Sequence, residues 1–409
     1  MFTMNFRLNQ GTLEYIAVTI AVLGMGSLYF QVLRMPIMAA MLLVVATLFL
    51  LKKPLLRKSN FILYLCLTGA FVFTSVVNYK NGFYLNDLII WMANMIFVIV
   101  LQTNMTFREF KKKYIIVISI EAVISLICFL WVNILGHSLP LMSISANTVN
   151  TYYLTPYYTA GWGNLGIFDR NAGIFTEPGA HQIFLNFALL FLLSEDTHFG
   201  LSKRNYVTVA VILILTILTT QSTTGYMCLA VVMVAIILKR TDGNKHTKLK
   251  FLMVIAMVIL MLIESQTGII ENKFAGIKTG HGSGLTRYMD TYYGYYIAFS
   301  RPVFGHGMYM TNQAKYMTPY GINNISNGMA SFAIRSGVII TTVFLVMMYK
   351  GIKKQFPYGK LFNICVFLLY FLCVNSEGLF LNILFLAFIG NWCDNPIYKT
   401  QEKFLLQNK

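Results

Sequence analysis

The stretch that decides the reading runs Gly166-Ile-Phe-Asp-Arg-Asn-Ala-Gly-Ile-Phe-Thr-Glu-Pro-Gly-Ala-His181 and continues Gln182-Ile-Phe-Leu-Asn-Phe-Ala-Leu-Leu-Phe-Leu-Leu-Ser194. A polar, glycine-bearing segment ends at Glu177-Pro178, and an apolar run begins. Pro178 suits a first helical turn, where its missing N–H would be unpaired anyway. Glu177 stands just before that turn. A helix N-terminus carries unpaired N–H groups and about half a positive charge, which makes it a ready anion site. Arg170 adds a guanidinium fork that matches phosphate in two places. His181, one turn into the helix, is a weaker candidate for the same site.

The rest of the chain repeats the apolar theme. Of 409 residues, 57% are hydrophobic and 11% are charged, against about 25% charged in soluble domains. Mean hydropathy is +0.63. These values exclude a soluble globule of this size and exclude disorder. A bilayer-spanning helix needs roughly 20 apolar residues. Twelve runs qualify: 12–33, 35–51, 59–78, 85–103, 114–135, 179–194, 206–222, 225–239, 250–267, 327–349, 361–376 and 378–395. Gln221–Gly225 reads either as an outer turn or as a re-entrant turn between two of them. The expectation is an all-α polytopic membrane protein, a single integral membrane domain over 1–409 with about 12 transmembrane helices.

The net charge of +17 comes from 32 Lys and Arg against 15 Asp and Glu. In a soluble protein that excess would suggest nucleic acid; here cytoplasmic loops account for it, because they collect Lys and Arg. With the N-terminus inside, 23 of the 32 fall on inner segments and nine on the outer side. Both termini are therefore expected in the cytoplasm. The segment before the first run lacks a small-residue cleavage site, so no removed signal peptide is expected. Six cysteines lie in or beside apolar runs without metal-ligand spacing, and they read as packing residues. Two long outer loops, 136–178 and 268–326, are rich in Tyr, Trp, Gly and Asn, so chemistry is expected on the outer face.

The second loop carries Leu285-Thr-Arg-Tyr-Met-Asp-Thr-Tyr-Tyr-Gly-Tyr-Tyr296. At 100° per residue, Tyr288, Tyr292, Tyr295, Tyr296 and Phe299 share one face. That pattern predicts an interfacial helix with an aromatic belt toward lipid, with Arg287 off the belt. Next comes Ser300-Arg301-Pro-Val-Phe-Gly-His306-Gly307. Glycine on both sides of His306 predicts a tight turn that exposes the imidazole, a group able to act as a base near neutral pH. Arg335 lies eight residues into the tenth run, roughly 12 Å along a helix. A charge placed there is costly and usually faces a cavity or partner. Ligand binding is favoured over an ion pair with Glu264 or Glu377. Glu121, deep in the fifth run, reads at least as well as a structural hydrogen-bonding group. No Asp-x-Asp metal motif and no phosphate-loop signature occurs, so no metal and no cofactor are expected.

The pattern Arg170…Gly-Ile-Phe-Thr-Glu-Pro-Gly179 resembles a motif of the O-antigen and capsule polymerases of the Wzy type, which share a superfamily with the O-antigen ligases. Gln221-Ser-Thr-Thr-Gly225, Thr286-Arg287 with Arg301-Pro-Val-Phe-Gly-His-Gly307, and Asn327-Gly328…Arg335-Ser-Gly337 are similar to further stretches, in the same order. The resemblance covers about 166–340; the rest is similar in topology. It implies a GT-C-like membrane glycosyltransferase at the outer face of the bacterial cytoplasmic membrane, joining repeat units carried on undecaprenyl pyrophosphate. Its implied partners are the lipid-linked glycan donor and acceptor, membrane lipid and a chain-length regulator protein, with no nucleic acid. Arg170, Arg287 and Arg335 would hold the pyrophosphate, with Arg301 and His181 as further contacts. Glu177, or else His306, would be the base. An O-antigen ligase acting on lipid A core is the nearest alternative, which His306 and His281 keep open. A small-anion transporter and a structural partner of an export complex are alternatives from other classes.

The topology is testable by labelling. Single cysteines at Asn150→Cys and Gln313→Cys should react with a membrane-impermeant thiol reagent from outside. Reaction only after the membrane is opened would reverse the orientation.

Overall fold

A computed structural model describes residues 10–24, 26–52, 57–81, 85–136, 143–146, 150–153, 170–195, 198–239, 283–308, 316–320, 325–380 and 382–393. The ninth expected span at 250–267, Glu264, His281 and both chain ends lie outside them. The described elements are helical apart from one two-stranded hairpin, which falls in the loop expected at 136–178. There β1 (Ser143–Ala146) pairs antiparallel with β2 (Asn150–Tyr153).

The helices are α1 (Gln10–Gly24), α2 (Leu28–Val32), α3 (Arg34–Lys52), α4 (Lys58–Val77), α5 (Leu85–Asn104) and α6 (Phe107–Asn133) before the hairpin. After it come α7 (Pro178–Ser194), α8 (Lys203–Thr219), α9 (Thr223–Leu238), α10 (Ser283–Ser300), α11 (Gly328–Ser336), α12 (Val338–Gln355), α13 (Lys360–Ser376) and α14 (Ile383–Leu386). Their starts follow from local chemistry. Thr106 and Glu109 form a capping box on α6, and Ser202, Ser222 and Asn327 each accept a main-chain N–H at the starts of α8, α9 and α11. Such side chains satisfy amides that a helix leaves unpaired. Two helices, α4 and α6, are long and apolar enough to cross a membrane. Apolar side chains also point outward on several helices, among them Leu43, Leu50, Ile62, Leu65 and Ile127.

Helix α7 is the centre of the fold. Every residue from Pro178 to Ser194 is buried, as expected of a helix that is apolar all round. It packs on α6, α8 and α9. At its C-terminus the Lys239 ammonium donates to the Ser194 carbonyl, and Glu195 pairs with Lys111 at 2.7 Å and Arg108 at 3.2 Å. Cations at a helix C-terminus complement its dipole.

Three expected spans are not continuous helices. The run 12–33 breaks after Gly24, because residues 26–28 pair instead with residues 174–176: Leu28 N–H donates to the Ile174 carbonyl at 2.9 Å. The run 327–349 divides at Gly337, whose φ of 89° belongs to the left-handed region. A Cβ at Gly337 would lie 2.6 Å from the Val303 carbonyl oxygen, so the break accommodates the neighbouring turn. Among the described residues of the run 378–395 only the four of α14 are helical, although residues 382–389 are all buried. Its loose carbonyls are met by side chains. Tyr64 Oη donates to Leu386 and Ile389, Gln102 Nε2 to Ala387 and Ile389, Asn60 Nδ2 to Asn391, and Trp392 Nε1 to Ala387. Irregular backbone away from water persists only where such partners exist.

Gln102 is the most exacting of these partners, because it serves two carbonyls and accepts from Asn60 at 3.1 Å. Gln102→Leu should lower stability by about 1–3 kcal/mol, since it strands buried acceptors. Thermal melting of the purified protein in detergent would read the loss, and an unchanged midpoint would show that the segment holds itself.

Candidate active site: a guanidinium–carboxyl cluster

The motif loop at 170–177 is held from three sides. Asn171 Oδ1 accepts the Gly173 N–H at 2.9 Å, and its Nδ2 donates to Thr219 Oγ1 at 2.9 Å. Gly173 has φ 55°, and a Cβ there would stand 2.1 Å from Glu121 Oε1 and 2.7 Å from His181 Cε1. Glu121 in turn pairs with His181 Nε2 at 2.9 Å and accepts the Ile174 N–H. Phe175 bridges to Ser27. These constraints deliver Glu177 as the N-cap residue of α7, in extended backbone (φ −156°, ψ 156°) with no capping bond from its side chain.

Around Glu177 the structure gathers Arg170, Arg287 and Glu377. Arg170 Nε donates to the Thr220 carbonyl at 3.1 Å, and its guanidinium feels Arg287, Glu177 and Glu377. Burial first and then the Arg287 charge draw its pKa below the ordinary guanidinium value, against the pull of Glu177 and Glu377. Arg287 donates through Nη1 to the Ser376 carbonyl and through Nη2 to Glu377 Oε1 at 3.0 Å. Burial alone would lower its pKa, but Glu377, Glu177 and Asp290 together outweigh burial and raise it. The cluster thus keeps two cations beside two carboxyl groups.

The floor under Arg287 is a polar seam. Asn327 Nδ2 donates to Thr291 Oγ1 and to Asn375 Oδ1, both at 3.0 Å, and Tyr295 Oη donates to the same Asn375 oxygen at 3.1 Å. Asp290 Oδ2 accepts from the main chain and hydroxyl of Ser326. α10 and the start of α11 are thereby fixed to the end of α13. Tyr295 consequently leaves the expected aromatic belt, while Tyr288, Tyr292, Tyr296 and Phe299 remain exposed on α10.

Glu377 is the residue that sequence reading passed over, naming it only as a partner for Arg335. Its side chain is 3% exposed. Its Oε1 lies where a Cβ on Gly179 would be 1.9 Å away, so its carboxyl fills the approach to the α7 N-terminus. The open anion site expected there is occupied by the protein itself. Burial, and after it the charge and hydrogen bond of Glu177, push Glu377 well above the usual carboxylate range against the pull of Arg287.

Four other candidates lie elsewhere. His181 is wholly buried on Glu121, so it shapes the motif loop and does not face a substrate. His306 is not exposed as expected. Gly305 and Gly307, with φ 58° and 102°, do form a tight turn, but the turn folds the ring inward. There Nε2 contacts Ser300 Oγ at 3.1 Å and the Ile297 carbonyl at 3.2 Å, and the ring lies 4.1 Å from the centre of Tyr316. Burial and then Arg301 lower the His306 pKa below 6.5. Arg301 donates to Asn78 Oδ1 at 3.3 Å on an exposed surface. Arg335 does not sit inside a continuous helix. It ends α11, is half-buried, donates to the Ser331 carbonyl at 3.4 Å, and accepts the Gly307 N–H on its own carbonyl. Helices α10 and α11 run parallel, with Thr291 beside Asn327 and Gly294 beside Ala330, which puts this turn at the C-terminal end of α10, away from Arg287 by about 20 Å along the helix.

Among the described residues, no three His, Cys, Asp or Glu side chains gather as a metal-ligand set. Gly173→Ala is the sharpest test of the loop geometry, because it adds a left-handed penalty of about 1 kcal/mol to a collision with the Glu121–His181 pair. It should lower the melting midpoint, and a neutral result would place the loop differently. Comparison of the chain with family models, characterised proteins and solved structures finds no match, so the resemblance to the polymerase–ligase superfamily stands on the motif residues alone.

Proposed function

We propose that this protein is a polytopic membrane glycosyltransferase of the GT-C-like kind that polymerises undecaprenyl-pyrophosphate-linked repeat units at the outer face of the bacterial cytoplasmic membrane. The observation that carries the reading is the meeting of Arg170, Arg287 and Glu177 at the start of α7. The motif Arg170…Glu177-Pro-Gly179 that resembles the polymerases supplies two of them, and Arg287 comes from the second outer loop. The outward apolar faces of α3, α4 and α6 support a lipid setting, since soluble surfaces rarely carry such patches. The Lys and Arg distribution supports twelve crossings, in the broad sense that includes broken ones, with both termini inside.

In this reading the acceptor hydroxyl gives its proton to the Glu177 carboxylate, and its oxygen forms the new bond to the anomeric carbon of the donor sugar. The bond from that carbon to the pyrophosphate oxygen breaks, and the electron pair leaves with the pyrophosphate. Arg170 and Arg287 stabilise the charge that develops there. Arg287 then exchanges part of its hold on Glu377 for the phosphate. The clamp consists of two arginines; Arg335, Arg301 and His306 belong to the far turn. A small-anion transporter is the second reading, favoured by the breaks at Gly337 and around α14, because transporters bind anions at broken helices.

Purified protein given a lipid-linked repeat unit in the presence of EDTA should yield a ladder of products. Transfer only to lipid A core would mean a ligase, and anion uptake into proteoliposomes without any ladder would mean a transporter. Arg170→Lys, Arg287→Lys and Glu177→Gln should each lower the rate by ~10²–10³ while the protein still folds, whereas Arg301→Lys should be tolerated. Normal ladders from the first three variants, or loss on chelation restored by magnesium, would overturn the mechanism.

A further inference from the structure

We propose that the turn at 301–304 and the adjoining end of α4 form a second binding site, one for the pyrophosphate headgroup of a polyprenyl lipid. Arg301 and Lys80 are its cations, and Phe73, Val77, Val303 and Phe304 seat the chain. That its occupant is the acceptor substrate rests on the glycosyltransferase reading above.

The turn is fixed from behind and open in front. The His306 N–H donates to the Ile334 carbonyl at 2.8 Å, and the Ile339 N–H donates to the Pro302 carbonyl at 3.0 Å. With the main chain tied to α11 and α12 in this way, the four side chains from Arg301 to Phe304 all stand exposed. A polar tie joins them to α4. Asn78, buried at the C-terminus of α4, donates through Nδ2 to the Phe304 carbonyl at 3.1 Å and accepts from Arg301 Nη1 on Oδ1 at 3.3 Å. The Phe304 ring meets Phe73 of α4 edge-on, with centres 5.4 Å apart. Phe73 and Val77 are exposed, as are Val303 and Phe304, so the outward apolar face of α4 continues onto the turn. Lys80 stands exposed in the short helical turn Tyr79–Asn81, just past Asn78.

Cations set at the end of an apolar face match an anionic headgroup on a long hydrocarbon chain. A free phosphate has no use for the apolar seat, and a neutral lipid has none for the cations. Arg301 offers phosphate a two-pronged fork and Lys80 a point charge, while a contiguous exposed apolar patch marks an interaction surface. Joining lipid-linked units supplies the need for a second site, because donor and acceptor each carry a pyrophosphate. The donor's departs at Arg170 and Arg287. The acceptor's keeps its bonds to its own sugar and chain, and has to be held elsewhere. Arg301 follows the far end of α10, about 20 Å from Arg287 along the helix, which is the reach of a short oligosaccharide. Between the two arginines α10 exposes Tyr288, Tyr292 and Tyr296, whose rings can stack on the faces of sugar rings. The acceptor thus lies along α10, with its pyrophosphate at Arg301 and its far hydroxyl at Glu177.

Native mass spectrometry of the full chain with added undecaprenyl pyrophosphate counts the lipids bound. The parent protein should hold two per chain, and Lys80→Glu combined with Arg301→Glu should hold one. Lys80→Glu alone changes only an exposed side chain, so it should fold normally and still weaken the second adduct. Arg301→Lys keeps the charge and should retain both. Two lipids on the double variant would overturn the site. So would a second adduct that inorganic pyrophosphate displaces at equal concentration, which would mark a phosphate site without a lipid, or one that phosphatidylglycerol forms as readily, which would mark a general contact with acidic lipid. In the ladder assay the double variant should need roughly tenfold more lipid-linked unit for half-maximal rate, as for a lost charged contact, with little change in kcat. A ladder from the parent protein with unchanged half-saturation in the variant would retain the glycosyltransferase reading and overturn the acceptor role. Loss of the second adduct in the variant, without any ladder from the parent protein, would retain the lipid site and overturn that reading.

Discussion

The fold depends on a helix with no wet side. Because α7 is buried along all of its 17 residues, its unpaired main-chain groups reach polar partners only at its two ends. At the C-terminus, Lys239 closes the ladder on the Ser194 carbonyl, and Arg108 and Lys111 hold Glu195. At the N-terminus the Glu177 side chain makes no capping bond, and the Glu377 carboxyl instead packs against Gly179 and accepts from Arg287, with Arg170 close by. The buried start of α7 thus has charged groups packed against it, and these are also the ones with chemical capacity.

Completion at that end recruits parts of the chain far apart in sequence. Arg287 and Glu377 are separated by 90 residues, and residues 26–28 reach the motif loop by main-chain pairing. The Glu121–His181 pair sits behind the loop and fills the space under Gly173. The site is rigid for the same reason that it is polar: each member is held by at least one partner from another element.

Local chemistry made much of this legible beforehand. Pro178 and the apolar run after it marked the start of α7, and the period of the tyrosines marked α10 with Tyr288, Tyr292 and Tyr296 exposed. What remained hidden was non-local. Hydrophobicity reports that a run avoids water but not that its helix breaks, so Gly337 and the irregular stretch around α14 read as continuous spans. His306 was misplaced because two flanking glycines fix a turn without fixing the side toward which the ring points. Glu377 was considered only beside Arg335 because its actual neighbours, Gly179 and Arg287, are not near it in sequence.

The irregular stretch around α14 has a consequence for the order in which the molecule is made. A regular helix closes its own main-chain hydrogen bonds and can leave water alone. Residues 386–391 cannot, because their carbonyls depend on Asn60, Tyr64 and Gln102, side chains of helices synthesised hundreds of residues earlier. The earlier helices must already stand together as a cradle before this stretch can enter. Until it does, those three side chains have only one another as polar partners, through the Gln102 oxygen that Asn60 and Tyr64 share. This stretch therefore enters by a docking step, and it carries with it, at its leading end, the carboxyl of Glu377.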